Sequence, residues 1–172
     1  TLLTAGYGNY EEGFGSVRYG SEFGNNHHYR IYSKYDNKGE NEFSSGANAN
    51  DAWRQGRAGF RIDTNEFESD RITFQGDMYS GEKEYPLTLP TLTSPYSASF
   101  SNDHEQFKGG NLLARWNRDI EENSQTSLQV YFDHIARDLH GFDQARSTFD
   151  FDFQHNYTIN DRNELIWGAG YR

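Results

Sequence analysis

The chain has 172 residues, a net charge of −10 and no cysteine, which argues against nucleic-acid binding and excludes a disulfide framework or a thiolate metal site. Hydrophobic residues make up only 34% and mean hydropathy is −0.99, yet aromatics reach 16%, so few, large rings carry the apolar surface. No apolar run approaches the ~18 residues of a transmembrane helix, and the opening TLLTAGYG lacks the basic and long apolar regions of a signal peptide; strands remain a permitted way across a membrane.

Period-two alternation predicts about nine strands, at roughly 1–8, 13–23, 28–36, 52–64, 70–82, 107–119, 125–138, 146–158 and 163–172. Most exceed the ~9–11 residues that a tilted strand needs to cross a bilayer core, whereas soluble strands commonly run ~5–6. The link NYEE at 9–12 is short. After it, short turns at 24–27, 65–70, 121–124 and 160–163 take turns with longer links at 37–51 and 83–106 and an intermediate one at 139–145. Pro86, Pro90 and Pro95 all fall in the second long link, where they break no ladder. The pattern predicts one domain, residues 1–172, folded as an all-β antiparallel up-and-down meander.

Hairpins bring like faces together, so register follows from the pattern. Folding 52–82 about Phe67 pairs Ile62 with Ile72, Phe60 with Phe74 and Ala58 with Gly76, and on the other face Arg57 with Asp77 and Arg61 with Thr73. Folding 107–138 about Glu122 pairs Trp116 with Leu128, Ala114 with Val130 and Leu112 with Phe132, with Arg115 against Gln129. Farther on, Phe149, Phe151 and Phe153 alternate with Asp150 and Asp152. A closed sheet with lipid outside and a polar lumen inside turns Phe60, Ile62, Ile72, Phe74, Leu112, Trp116, Leu128, Val130, Phe132, Phe149, Phe151, Phe153 and Trp167 outward. The same sheet turns Arg57, Arg61, Asp77, Arg115, Asp133, Asp150 and Asp152 inward. A soluble lipocalin-like barrel with an apolar ligand in its lumen reverses the two faces, and periodicity does not separate these readings. Strand length, loop segregation and two expected aromatic girdles favour the membrane. Trp116, Tyr157 and Trp167 stand near the short-turn ends, and Tyr35, Trp53 and Tyr79 near the long-loop ends.

Five runs, FGSVRYGSEFGNNHHYRIYSKYDN at 14–37, DAWRQGRAGFRID at 51–63, DRITFQGDMYSGE at 70–82, GGNLLARWNRD at 109–119 and the FDFDFQHNY and RNELIWGAGYR segments within 149–172, together resemble the early barrel of TonB-dependent outer-membrane receptors of the iron-complex type. The resemblance spans the chain in order, with the loops unmatched. It implies a segment of a 22-stranded barrel in the bacterial outer membrane. It also implies that the intact receptor imports a ferric siderophore or similar scarce nutrient, coupled to the TonB complex through a plug domain absent from these residues. A fragment of this kind cannot close its barrel, and its open edges invite self-association. The chain also has the size of a complete eight-stranded outer-membrane barrel with a structural or adhesive role, although its last residues, GAGYR, lack the terminal aromatic that such barrels carry.

No constellation points to an enzyme. Asp133, Asp150 and Asp152 read as lumen-lining acids rather than an acid–base pair, Ser127 lies in no nucleophile elbow, and GYGNYEEGFG at 6–15 has neither the lysine nor the helix of a phosphate loop. Neighbouring His27 and His28 point to opposite faces, and His104, His134, His140 and His155 show no ligand spacing, so no metal and no cofactor is expected. The resemblance places ligand contacts in the extracellular loops, where Tyr85, Tyr96, Phe100, His104 and His140 offer stacking and hydrogen bonding.

Overall fold

The computed structural model describes residues 1–24, 26–67 and 69–172; the side chains of 65–67 are outside that description, so the turns expected at 24–27 and 65–70 lie partly outside the described residues. Nine antiparallel strands follow one another in a single open sheet, in chain order: β1 (Leu2–Gly6), β2 (Gly13–Phe23), β3 (His27–Lys38), β4 (Trp53–Phe67), β5 (Asp70–Pro90), β6 (Ala98–Glu121), β7 (Ser124–Leu139), β8 (Phe142–Asn160) and β9 (Asn163–Tyr171). β1 and β9 do not pair with each other, so the nine strands form an open wall and not a closed eight-stranded barrel.

The β6–β7 hairpin has the expected register as far as Asp119, where a shift precedes the turn: Trp116 opposes Leu128, Ala114 opposes Val130, Leu112 opposes Phe132 and Arg115 opposes Gln129. The β4–β5 hairpin is shifted by two residues from expectation. Ile62 opposes Phe74, Phe60 opposes Gly76, Ala58 opposes Met78 and Arg61 opposes Gln75, while Arg57 faces Tyr79. Phe67 opposes Asp70, so the hairpin folds beyond Phe67 and not about it, and a one-residue bulge between Thr64 and Phe67 leaves the offset at two. Because the shift is an even number of residues, every side chain keeps its expected face.

Two links are shorter than the sequence implies. In place of a loop at 83–106, β5 and β6 continue as a paired hairpin to Pro90 and Ala98, leaving 91–97 as the connection. Pro86 and Pro90 sit inside that ladder, opposite Asn102 and Ala98. The backbone N–H of Glu84 is turned towards β4, where it donates to the Ala52 carbonyl. Even-numbered residues beyond it therefore turn their nitrogens to the side that β4 has already vacated, and both prolines fall on even positions, where they cost no ladder bond. At the other link, β7 and β8 pair as far as Leu139 and Phe142, so only His140 and Gly141 turn the chain, with Gly141 at a φ of 69° that favours glycine.

No hydrophobic side chain among the described residues is buried, and Ile31, Phe74, Met78, Leu112, Phe132 and Phe149 all lie largely open on a sheet with no second layer. The extended β5–β6 hairpin gives a direct check. Thr88→Pro should leave amide exchange across 85–103 unchanged, whereas Leu87→Pro, whose nitrogen faces β6, should accelerate it about fivefold, the equivalent of one net hydrogen bond of ~1 kcal/mol.

Candidate functional site

Pairing carries each face from strand to strand. The row Tyr19, Ile31, Phe60, Gly76, Leu112, Phe132, Phe149 runs unbroken from β2 to β8, and the next row holds Tyr29, Ile62, Phe74, Ala114, Val130 and Phe151. Ile72, Trp116, Leu128 and Phe153 form a third row, and Trp167 opposes His155 one row further on. All the residues expected to share the apolar face do share it.

This face is apolar only over a limited height. Towards the long-loop end it is crossed by a wholly polar row, Asn37, Arg54, Glu82, Gln106, Asp138 and Asp143. Towards the short-turn end it meets Asp70, Arg118, Thr126 and His155. Polar atoms at this lower border satisfy one another. Trp116 Nε1 donates to Asp70 Oδ1 at 2.8 Å and Trp167 Nε1 donates to His155 Nδ1 at 2.9 Å, which leaves the His155 Nε2 proton for Ser124 Oγ, 2.9 Å away. Trp116, Tyr157 and Trp167 all stand on the apolar face at this border, as does Tyr35 at the opposite one. Trp53 and Tyr79 correct the expected upper girdle: both lie on the polar face, Trp53 under Lys38 Nζ at 5.3 Å and Tyr79 beneath the Arg57 guanidinium at 6.0 Å. Distance from a loop sets a residue's height, but only its position in the alternation sets its face.

The band also runs obliquely. On β1 its residues, Leu3 and Ala5, oppose Val17 and Gly15 on the long-loop side of the Tyr19 row, whereas on β9 Ala169 and Trp167 oppose Phe153 and His155 on the short-turn side of the Phe149 row. That drift is about one residue per strand; with ~3.4 Å per residue and ~4.8 Å between strands, strands tilt about 35° from the normal to the band. From Lys108 to Arg118, the polar residues bounding the band on β6, the tilted height is then about 28 Å.

The opposite face is charged at the same height, and Arg57, Arg61, Asp77, Arg115, Asp133, Asp150 and Asp152 all belong to it. Arg61 forks onto Asp63, with Nε and Nη2 at 2.7 and 2.8 Å, and Thr73 Oγ1 donates to the same carboxylate at 2.7 Å. Asp77 lies diagonally to Arg57, at 4.0 Å, and its main partner is Tyr32, whose hydroxyl donates to Oδ1 across Gly59. Gly59 is required for that crossing, because a Cβ there would stand 2.7 Å from the Tyr32 ring and 2.8 Å from the Gly76 carbonyl oxygen. The Tyr32–Asp77 and Thr73–Asp63 links escape sequence reasoning because both depend on the shifted β4–β5 register, which moves Thr73 from Arg61 to Asp63.

The loop-end candidates do not converge. Tyr85 is on the polar face opposite Asp103, Phe100 and His104 are on the other face of the same hairpin, and Tyr96 is in the connection at its tip. Only the two histidines meet, at the Asp103 carboxylate: His140 Nδ1 is 2.8 Å from Oδ2, and His104 donates its backbone N–H to Oδ1 at 2.8 Å with its Nδ1 3.8 Å away. Nearby, the loop at 39–52 is pinned by Asp51, whose carboxylate accepts from the Asn41 backbone N–H at 2.8 Å and side chain at 2.6 Å. Those bonds hold its carboxyl below the usual Asp range. No protein-family model matches the chain, and no curated protein matches it.

Two outcomes are expected. Gly59→Ala should destabilise the sheet by about 1–3 kcal/mol in urea titrations and Tyr32→Phe by about 1 kcal/mol, with the double variant less than additive because both remove one contact. For Asp51, a depressed folded value makes the loop's extra stability complete above the ordinary Asp value of ~3.9 and lost as pH falls through the lower folded value. The protection factor of the Asn41 amide, its exchange corrected for the intrinsic pH dependence, should therefore be flat from neutrality to about pH 5 and should fall only at more acid pH.

Proposed function

We propose that the chain is a section of the wall of a transmembrane β-barrel, belonging to a TonB-dependent outer-membrane receptor that imports a ferric siderophore or a similarly scarce nutrient. The observation that carries the membrane reading is the oblique apolar band, closed off on both sides by polar rows while the reverse face stays charged at the same height. A tilt of about 35° and a height of about 28 Å match the ~35–45° tilt and ~25 Å apolar belt of outer-membrane barrels. In a soluble sheet that face would lie under a second layer, since a large exposed apolar patch is a docking surface. The interfacial Trp116 and Trp167, each with its indole N–H satisfied, fit the border between hydrocarbon and head groups.

Hairpin heights support the orientation. β5–β6 continues well beyond the polar row on one side, and the long link between β3 and β4 lies at the same end, whereas at the other end the strands turn within a few residues of the border. Placing the tall hairpin outside the cell gives the long-outside, short-inside asymmetry of these barrels. Iron chelate as cargo, coupling through a plug and the outer-membrane address rest on the sequence resemblance; the charged face supplies a polar lumen in which such a ligand and plug fit.

The three tryptophans provide the test. In vesicles with brominated acyl chains, single-tryptophan variants that keep Trp116 or Trp167 should be quenched, and one that keeps Trp53 should not; equal quenching of all three, or of none, overturns the membrane-facing assignment. In the producing bacterium, deleting the coding segment should abolish energy-dependent uptake from a panel of labelled ferric chelates, and unimpaired uptake of every one overturns the receptor reading.

A further inference from the structure

Three glycines in the middle of the charged face share one pair of neighbours. A Cβ on Gly59 would stand 2.8 Å from the Gly76 carbonyl oxygen of β5 and 2.7 Å from the Tyr32 ring of β3. One on Gly81 would stand 2.6 Å from the Arg54 carbonyl oxygen of β4 and 2.6 Å from the Phe107 ring of β6. One on Gly109 would stand 2.8 Å from the His134 carbonyl oxygen of β7 and 2.7 Å from the Tyr79 ring of β5. Each time the close carbonyl comes from one neighbouring strand, and the ring comes from the residue directly opposite on the other. Without a side chain the backbones close up on one side and leave peptide groups bare, and a flat ring from the other side covers them.

Two further glycines of this face have the carbonyl and lack the ring. A Cβ on Gly168 would collide with the Phe153 carbonyl of β8, and one on Gly20 would stand 3.0 Å from the Tyr29 carbonyl oxygen of β3. Both lie where a strand is missing on the other side: the β1 ladder reaches Arg18 but not Gly20, and Gly168 is on β9, at the open edge. Gln154 stands opposite Gly168 on β8 but turns along its own strand, where its Nε2 donates to Asn156 Oδ1 at 2.7 Å. Gly168 is therefore exposed, and a ring over it has to arrive from the free side. The open edges of this chain do not supply one. On the charged face β1 carries Leu2, Thr4 and Gly6, and β9 carries Glu164, Ile166 and Gly170 beside Gly168 itself.

We propose that the free edge of β9 accepts one kind of strand: antiparallel to β9, apolar on the face it shares with Trp167 and Ala169, and carrying an aromatic ring opposite Gly168 on the charged face. The partner is a further strand of the same wall, supplied from outside residues 1–172, and its ring lies across Gly168 as Tyr32 lies across Gly59. The site rests on the reading of this sheet as a section of a barrel wall.

The test adds synthetic strands of about 11 residues, long enough to cross the band, to the full chain in phospholipid vesicles. Each alternates valine with threonine, and its central threonine is kept or replaced by leucine or tyrosine. The tyrosine strand should bind about fivefold more tightly than the other two, the gain of one favourable cross-strand pair. Its ring current should also move the Gly168 α-protons upfield, as those of Gly59, Gly81 and Gly109 are moved in the chain alone. Gly170→Ala, whose Cβ would meet nothing closer than 3.4 Å, should keep both effects. Equal binding of the three strands, no upfield movement at Gly168, or loss of the tyrosine preference in Gly170→Ala overturns the site. Self-paired copies that exclude all three strands make a second copy the occupant and overturn it as well. Brominated-chain quenching of Trp116 and Trp167 separates two failures: quenching kept without a tyrosine preference overturns this site alone, and quenching absent overturns the wall reading beneath it.

Discussion

A sheet one layer thick has no interior. Every backbone donor and acceptor between neighbouring strands is spent on the ladder, and each side chain must answer to whatever medium touches its face. In this chain that constraint is nearly pure, because among the described residues no hydrophobic side chain is buried and only Ser124 and Thr126, at 8% and 7% exposure, are buried polar groups. The stability of such a wall cannot come from a core of its own. It comes from the ladder, from cross-strand contacts such as the Phe60–Phe74 rings with centroids 5.2 Å apart, and from the transfer of an extended apolar surface out of water.

The faces differ in how they tie strands together. Neighbours on the apolar side touch through rings and aliphatic groups, which are interchangeable within limits of volume. On the charged side the links are specific: Arg61 with Asp63 and Thr73, Tyr32 with Asp77, Arg137 with Glu105 at 3.6 Å, and Arg71 with Asp119 at 3.3 Å. Most are half exposed, so each contributes little to stability. Their value is positional. A two-residue slip of β5 past β4 would keep apolar against apolar, but it would take Tyr32 and Asp77 out of reach of one another across Gly59.

That robustness explains what could be read in advance. Alternation in Phe149–Phe153 and in Ala58–Ile62 fixes which face a residue takes, and an even-numbered error leaves it untouched, so the faces and the order of all nine strands were legible from the residues alone. Ends of elements were not. Prolines at 86 and 90 signal a loop to any reader who lacks the neighbouring strand, because their compatibility with the ladder depends on where β4 stops. Trp53 and Tyr79 lie at the right height for a girdle but on the wrong face, since proximity to a loop carries no information about direction. The links on the charged face were the least legible part: Tyr32 and Asp77 meet across Gly59 only through the shifted β4–β5 register. The slant of the apolar band is likewise invisible until all eight pairings are laid side by side.

With nine strands meandering antiparallel, the first and the last point the same way. Bringing those two edges together directly would create a parallel seam, with slanted bonds and slightly weaker pairing, in an otherwise antiparallel cylinder. Two copies inserted in the same sense and joined β9 to β1 would carry two such seams. Uniform antiparallel closure therefore requires an odd number of additional strands between β9 and β1, whatever molecule supplies them.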